Sequence, residues 1–126
     1  MTRLVVYSPE APLPDAPISQ GIVSGGFLYT AGFGPVDAAT GDVVGDSIED
    51  QTHKVMQNLK HVLDAHGLDF SHVVKVTAHL SDATNDMPGF NKVYREYMSE
   101  PYPARTTVGS VLPRFLVEVD VVATAR

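Results

Sequence analysis

From residue 48 onward the apolar positions fall into a helical rhythm. Ile48, Thr52, Val55, Met56, Leu59, Val62 and Leu63 recur at i, i+4, i+7, i+8, i+11, i+14 and i+15, one mainly apolar stripe over about four turns of helix. Ser47 with Asp50 resembles a capping box at its start, and Gly67 is a natural C′ stop. The pattern predicts a second helix from about Asp86 to Met98. Met87, Phe90, Val93, Tyr94, Tyr97 and Met98 form its apolar side, and Pro88 is placed in its first turn.

Elsewhere the period is that of strands. Short β-prone runs cover Arg3 to Tyr7, Gly21 to Ser24 and Phe27 to Ala31. Gly25-Gly26 between the last two is a two-residue hairpin signal. Pro9, Pro12, Pro14 and Pro17 keep their segment out of helix and central strand. Asp37 to Gly45 holds a turn at Ala39-Thr40-Gly41-Asp42. Val73 to Leu80, Ala104 to Val108 and Leu116 to Thr124 complete the strands. The order β-β-β-α-β-α-β-β predicts an α+β fold, a mixed sheet with both helices on one face. No linker, repeat or low-complexity tract interrupts it, so residues 1–126 are expected to form one domain.

Such a sheet leaves its second face bare. In the last strand Val117, Val119, Val121 and Ala123 alternate with Glu118, Asp120, Val122 and Thr124. In the middle strand Val74, Val76, Ala78 and Leu80 alternate with Val73, Lys75, Thr77 and His79. The second face is thus half apolar, which points to burial against other copies of the chain, with a polar pocket between them.

Composition narrows the function. At 126 residues, 44% hydrophobic and 19% charged, the chain is of soluble globular type and long enough for a core. It has no cysteine, which excludes disulfide and thiolate chemistry. A net charge of −6 without any basic run disfavours nucleic acid. No stretch reads as a signal peptide or a membrane span, so a cytoplasmic location is expected, with no membrane partner.

The candidate chemistry is sparse. His53, His61, His66, His72 and His79 form neither an HExxH motif nor a helical ligand pair. They read as solvated or hydrogen-bonded side chains, with no metal and no cofactor expected. Gly32-Phe33-Gly34 lacks phosphate-loop spacing and reads as a turn or a close backbone approach. No serine sits in a nucleophile elbow. What stands out is Pro101-Tyr102-Pro103-Ala104-Arg105-Thr106-Thr107-Val108-Gly109. Pro103 biases Tyr102 toward extended geometry, so Arg105 is presented from stiff backbone. It is either a solvated arginine opening a strand or a fork for a carboxylate. Glu118 and Asp120 share one face of a strand expected to lie nearby. They are either a solvated pair, or Glu118 approaches Arg105 and orients a water or shuttles a proton. Asn91 could add an amide contact from the second helix.

Several segments together resemble the RidA family, also called the YjgF family, along essentially the whole chain. They are Gly26 to Gly32, Asp37 to Gly41, Gln51-Thr52 through Lys60, Asp69 to Thr77, Phe90 to Tyr94, Tyr102 to Val108 and Val117 to Val119. The resemblance implies a chorismate-mutase-like α+β domain assembled as a homotrimer, with a site in each cleft between subunits. It implies a cofactor-free deaminase that hydrolyses reactive imines such as 2-iminopropanoate, formed from 2-aminoacrylate, to 2-oxo acids and ammonia. Arg105 matches the carboxylate-binding arginine and Glu118 the glutamate that positions water. Asn91 matches an asparagine of the second helix near the pocket, and the backbone around Thr107 matches the segment whose polar groups meet the substrate.

Four positions depart from the family pattern. Ile18 stands for a pocket tyrosine, Ala31 for a serine and Phe33 for a glutamine. Thr107 takes the place of a frequent cysteine. Two hydroxyls and an amide thus give way to apolar groups, so altered substrate choice is expected, toward a larger and less polar imino acid. Three readings follow. One is an imine deaminase, with a pathway-specific enamine such as an aminomuconate as a variant. The second is a binder of small carboxylates such as 2-oxo acids with little turnover. The third is a ribonuclease, which the charge opposes.

Overall fold

Gly25 and Gly26 both take positive φ, 62° and 84°, as the predicted hairpin requires and as only glycine does cheaply. They join β2 (Gly21–Ser24) to β3 (Phe27–Thr30) in the computed structural model, which describes residues 2–126. The chain runs β1 (Leu4–Val6), β2, β3, α1 (Ile48–Asp64), β4 (Val73–Leu80), α2 (Ala83–Tyr97), β5 (Ala104–Gly109) and β6 (Val117–Thr124). A single turn of 3-10 helix, Phe70–His72, precedes β4. All six strands join one sheet in the order β1-β2-β3-β6-β4-β5. Only β4 and β5 run parallel, because α2 carries the chain back across the sheet between them.

The helical rhythm is realised as predicted. Every residue of the stripe from Ile48 to Leu63 is buried. Ser47 Oγ accepts the Asp50 N–H at 3.1 Å. At the other end Gly67 has φ 69°. Its N–H reaches the Asp64 carbonyl at 3.0 Å, and Leu68 N–H reaches that of Leu63 at 3.0 Å. Those are the two closing bonds of a glycine-terminated helix.

The second helix starts earlier than predicted, at Ala83, because Asp82 caps it. Asp82 accepts the Asn85 N–H at 3.2 Å, and Asn85 Nδ2 donates back to its carboxylate at 2.8 Å. Pro88 therefore lies in the second turn, where the Thr84 carbonyl loses its helical partner. Gly89 permits close helix contact, since a Cβ there would meet Ile48 Cγ2 at 2.6 Å.

One strand departs from simple alternation. A bulge between Val73 and Lys75 puts an extra residue into β4. Val73 joins the buried face and Val74 turns outward, 42% exposed. The two residues thus exchange the faces that strict alternation predicts, while Val76, Ala78 and Leu80 stay buried. They lie opposite Val121, Val119 and Val117 and complete the apolar layer under the helices. The other face presents Phe27, Tyr29, Val108 and Val122 among Lys75, Thr77, His79, Glu118 and Asp120.

Three buried amides hold the irregular segments. Gln20, 2% exposed, donates to the Ser8, Ala11 and Pro12 carbonyls and accepts the Ser8 N–H at 2.6 Å. It therefore straps the proline-rich segment to the sheet. Gln51 bridges the Gly45 carbonyl and the Leu116 N–H. Asn58 donates to the Gly34 and Val36 carbonyls, both at 3.0 Å.

Gln20→Ala should destabilise the protein by about 2–4 kcal/mol in chemical denaturation, because it strands buried backbone groups of the strap. A loss below about 1 kcal/mol would mean that the prolines alone hold the segment.

Candidate functional site

Strand parity decides where each candidate side chain points. Arg105 lies opposite Val76 and Thr107 opposite Ala78, so both face the helices from the edge strand β5. Glu118 lies opposite His79 and faces the uncovered side. The whole of β4 separates their strands. Within one chain, then, Arg105 and Glu118 are not neighbours, and each belongs to a half-site of its own.

The first half-site is built on α2. Phe90 and Tyr94, one turn apart, present their rings to Arg105. Its guanidinium carbon lies 4.7 Å from the Tyr94 centroid and 5.3 Å from that of Phe90. This platform uses the faces of the rings and leaves the N–H edge of the fork for a ligand. Arg105 takes part in no ion pair among the described residues. Asn91, Arg95, Tyr102 and Pro103 complete a cleft of about 250 Å³ around it. With two guanidinium groups and no carboxylate among those residues, the cleft suits an anion. Burial pushes the Tyr94 phenol above its usual pKa, and the Arg105 charge pulls it partly back. The Tyr94 hydroxyl and Thr107 Oγ1 are buried without a hydrogen-bond partner.

The second half-site surrounds Glu118. A Cβ on Gly32 would meet the Glu118 Cδ and Oε2 at 2.9 Å, so glycine is needed for the carboxylate to lie over the backbone. This is the close approach that the Gly32-Phe33-Gly34 run suggests. A Cβ on Gly34 would collide with the Phe115 ring. A cavity of about 280 Å³ opens beside Glu118, between the proline-rich strap, the loop after β3 and the chain entering β6. Ile18, Ala31 and Phe33, three of the positions that depart from the family pattern, are among the residues that line it. Ile18 is exposed at its rim, whereas Phe33 is only 4% exposed and belongs to the core, bonded to Val119. Asp37 at the margin accepts N–H bonds from Ala39 and Thr40, and these hold its carboxyl below the usual range.

Asp120, on the same face as Glu118, is pushed above the usual carboxylate range by burial, against the pull of His79 and Lys75. Four of the five histidines have identifiable partners. His53 meets Tyr97 and Glu96, His61 meets Glu10, His72 meets Asp69 and His79 meets Ser110. Among the described residues no helix is long and apolar enough to cross a membrane.

Sequence reasoning placed Phe90 and Tyr94 on the apolar side of their helix but did not connect them to Arg105. Their i, i+4 spacing, one helix before a proline-flanked arginine, was the available signal. Leu13, Pro14, Arg114 and Phe115, which also line the Glu118 cavity, carry no local motif.

Similar proteins agree with this architecture. The sequence profile of the family described as Endoribonuclease L-PSP matches residues 8–125. A RutC family protein of Pyrococcus horikoshii is 43% identical over 121 residues, 94% of this chain and 95% of its own. Reactive Intermediate Deaminase A of Arabidopsis thaliana, a chloroplastic protein, is 35% identical over 122 residues, 95% of this chain and 65% of its own. The crystal structure of E. coli TdcF with bound serine superposes with a TM-score of 0.87 at 29% identity, covering 96% of this chain and 98% of that one.

Removing the ring under Arg105 should loosen the fork without removing its charge. Tyr94→Leu should weaken binding of 2-oxobutanoate by about two- to thirtyfold in calorimetry, the equivalent of about 0.5–2 kcal/mol. Tyr94→Phe, which keeps the ring, should bind as the parent does. Equal losses in both variants would assign the effect to the hydroxyl instead.

Proposed function

This chain belongs to the endoribonuclease L-PSP family, the RidA (YjgF) family, and from that premise we propose that it is a hydrolytic deaminase of reactive imino acids. The observation that carries the reading is the Arg105 fork, laid over Phe90 and Tyr94 with its N–H edge unpaired and Asn91 beside it. A guanidinium so oriented takes a carboxylate in bidentate fashion. The name of the Arabidopsis relative and the serine bound to TdcF both fit a ligand of amino-acid type.

The opposite facing of Arg105 and Glu118 supports a site closed between two copies of the chain. Arg105 of one copy holds the substrate carboxylate, and Glu118 of a neighbour meets the reacting carbon. A homotrimer brings such half-sites together three times. The exposed Phe27, Tyr29 and Val108 on the uncovered face suit that burial.

In this reading Glu118 accepts a proton from water as the oxygen bonds to the imine carbon. The same carboxyl passes that proton to the nitrogen as the carbinolamine forms, then takes the carbinolamine's hydroxyl proton and delivers it to the nitrogen as the C=O forms and the C–N bond breaks, releasing ammonia. A 2-imino acid and water become a 2-oxo acid and ammonia, with no change of oxidation state. Nothing in the step calls for a cofactor. The charge of −6 weighs against transferring the ribonuclease label of the family description to this chain.

The test is release of ammonia and 2-oxo acid from freshly generated 2-iminopropanoate. The parent protein should accelerate it, and Arg105→Ala should abolish the acceleration while keeping the fold. Glu118→Gln should lower kcat by about 10²–10⁴-fold with little change in carboxylate affinity. Unchanged turnover in Arg105→Ala would sink the carboxylate-clamp assignment. An inert parent that still binds 2-oxo acids would favour the carboxylate-binder reading.

A further inference from the structure

The cleft around Arg105 holds a second cation that the proposed reaction does not use. Resting on the reading that Arg105 takes the substrate carboxylate, we propose that Arg95 is a positioning residue, which captures the anionic ligand electrostatically at the mouth of the cleft and delivers it to the Arg105 fork. Asn91 and Arg95 are four apart on α2, so they share one face of the helix. That face adjoins the stripe of Phe90 and Tyr94 on which Arg105 lies. Both residues line the cleft together with Arg105. Arg95 takes part in no ion pair among the described residues, although an acid follows it in the chain. That acid, Glu96, turns instead to α1, where its Oε2 lies 3.3 Å from His53 Nε2.

The chain as a whole repels such a ligand. Its net charge is −6, and a 2-oxo or 2-imino acid is itself an anion. Two guanidinium groups in one cleft, with no carboxylate among the lining residues, reverse that sign locally. They also repel each other, and an entering carboxylate relieves the repulsion. The two cations are not equivalent. Arg105 lies partly buried on its two rings, whereas Arg95 is exposed to solvent. The exposed cation draws the ligand in, and the aligned one orients it. The place of Arg95 in the last turn of α2 also suits the helix dipole. A dipole role predicts a change in stability, whereas capture predicts a salt-dependent change in affinity.

The experiment measures dissociation constants of 2-oxobutanoate by calorimetry in about 0.01 M and about 1 M salt, where charges are felt over about 30 Å and about 3 Å. It compares the parent protein with Arg95→Gln, Arg95→Lys and Lys92→Gln, and thermal melting checks the fold of each. Lys92 is exposed on the same helix and does not line the cleft, so its replacement changes the net charge equally. In dilute salt Arg95→Gln should weaken binding about three- to tenfold, and the other two variants by less than about twofold. In concentrated salt all four proteins should agree within about twofold. With freshly generated 2-iminopropanoate, Arg95→Gln should raise KM and leave kcat as it was. Parent-like binding by Arg95→Gln in dilute salt would overturn the inference. So would a loss of equal size in both media, which would make Arg95 a packing residue. An equal loss in Lys92→Gln would assign the effect to net charge, and an unrestored Arg95→Lys would assign it to the shape of the fork; either overturns capture by charge. If the parent releases no ammonia while the binding pattern holds, the deaminase reading fails and the capture role stands. A parent that does not bind 2-oxobutanoate overturns both.

Discussion

Along a strand, successive side chains point to opposite faces, and in this sheet only one face is covered by helix. Arg105 falls on the covered side and Glu118 on the open one, because their partners across the ladders, Val76 and His79, have opposite parity. Neither assignment can drift without moving the apolar set of a whole strand into solvent. A one-residue slip of β6 would exchange Val117, Val119, Val121 and Ala123 for Glu118, Asp120, Val122 and Thr124 in the core. The apolar layer under α1 and α2 therefore fixes the two chemical groups on opposite sides. The proposed reaction then requires a second copy of the chain.

Much of this was legible in the sequence because the signals are local. The α1 stripe, the Gly25-Gly26 hairpin and the Gly67 stop each follow from a few adjacent residues. The bulge at Val74 was not legible, since it depends on how β4 meets β6 rather than on the composition of β4. The start of α2 was misplaced because the Asp82 cap reveals itself only through the position of Asn85. Arg105 and Glu118 could be singled out by residue type and by resemblance. Their separation required knowing that β4 lies between β5 and β6, a long-range fact that no window of sequence contains.

The irregular parts of the chain are held by amides rather than by apolar contacts alone. Gln20, Gln51 and Asn58 each satisfy backbone groups of segments that belong to no strand or helix. Without them those polar groups would be buried unpaired, which is costly. These are the segments that wall the cavity beside Glu118. Its shape therefore depends on α1 and on Gln20, just before β2, as much as on the residues that line it.

The way Arg105 is held has a consequence for its behaviour in different media. A guanidinium anchored by a carboxylate would be half neutralised, and salt would loosen its anchor. Here the anchor is two aromatic faces. They carry no net charge to be screened, and they have lost their hydration shell already. The full positive charge stays available to an anion, while its orientation should persist in brine or in dilute buffer. Ionic strength then acts on the arriving ligand alone, through long-range attraction, and leaves the receiving geometry as it was.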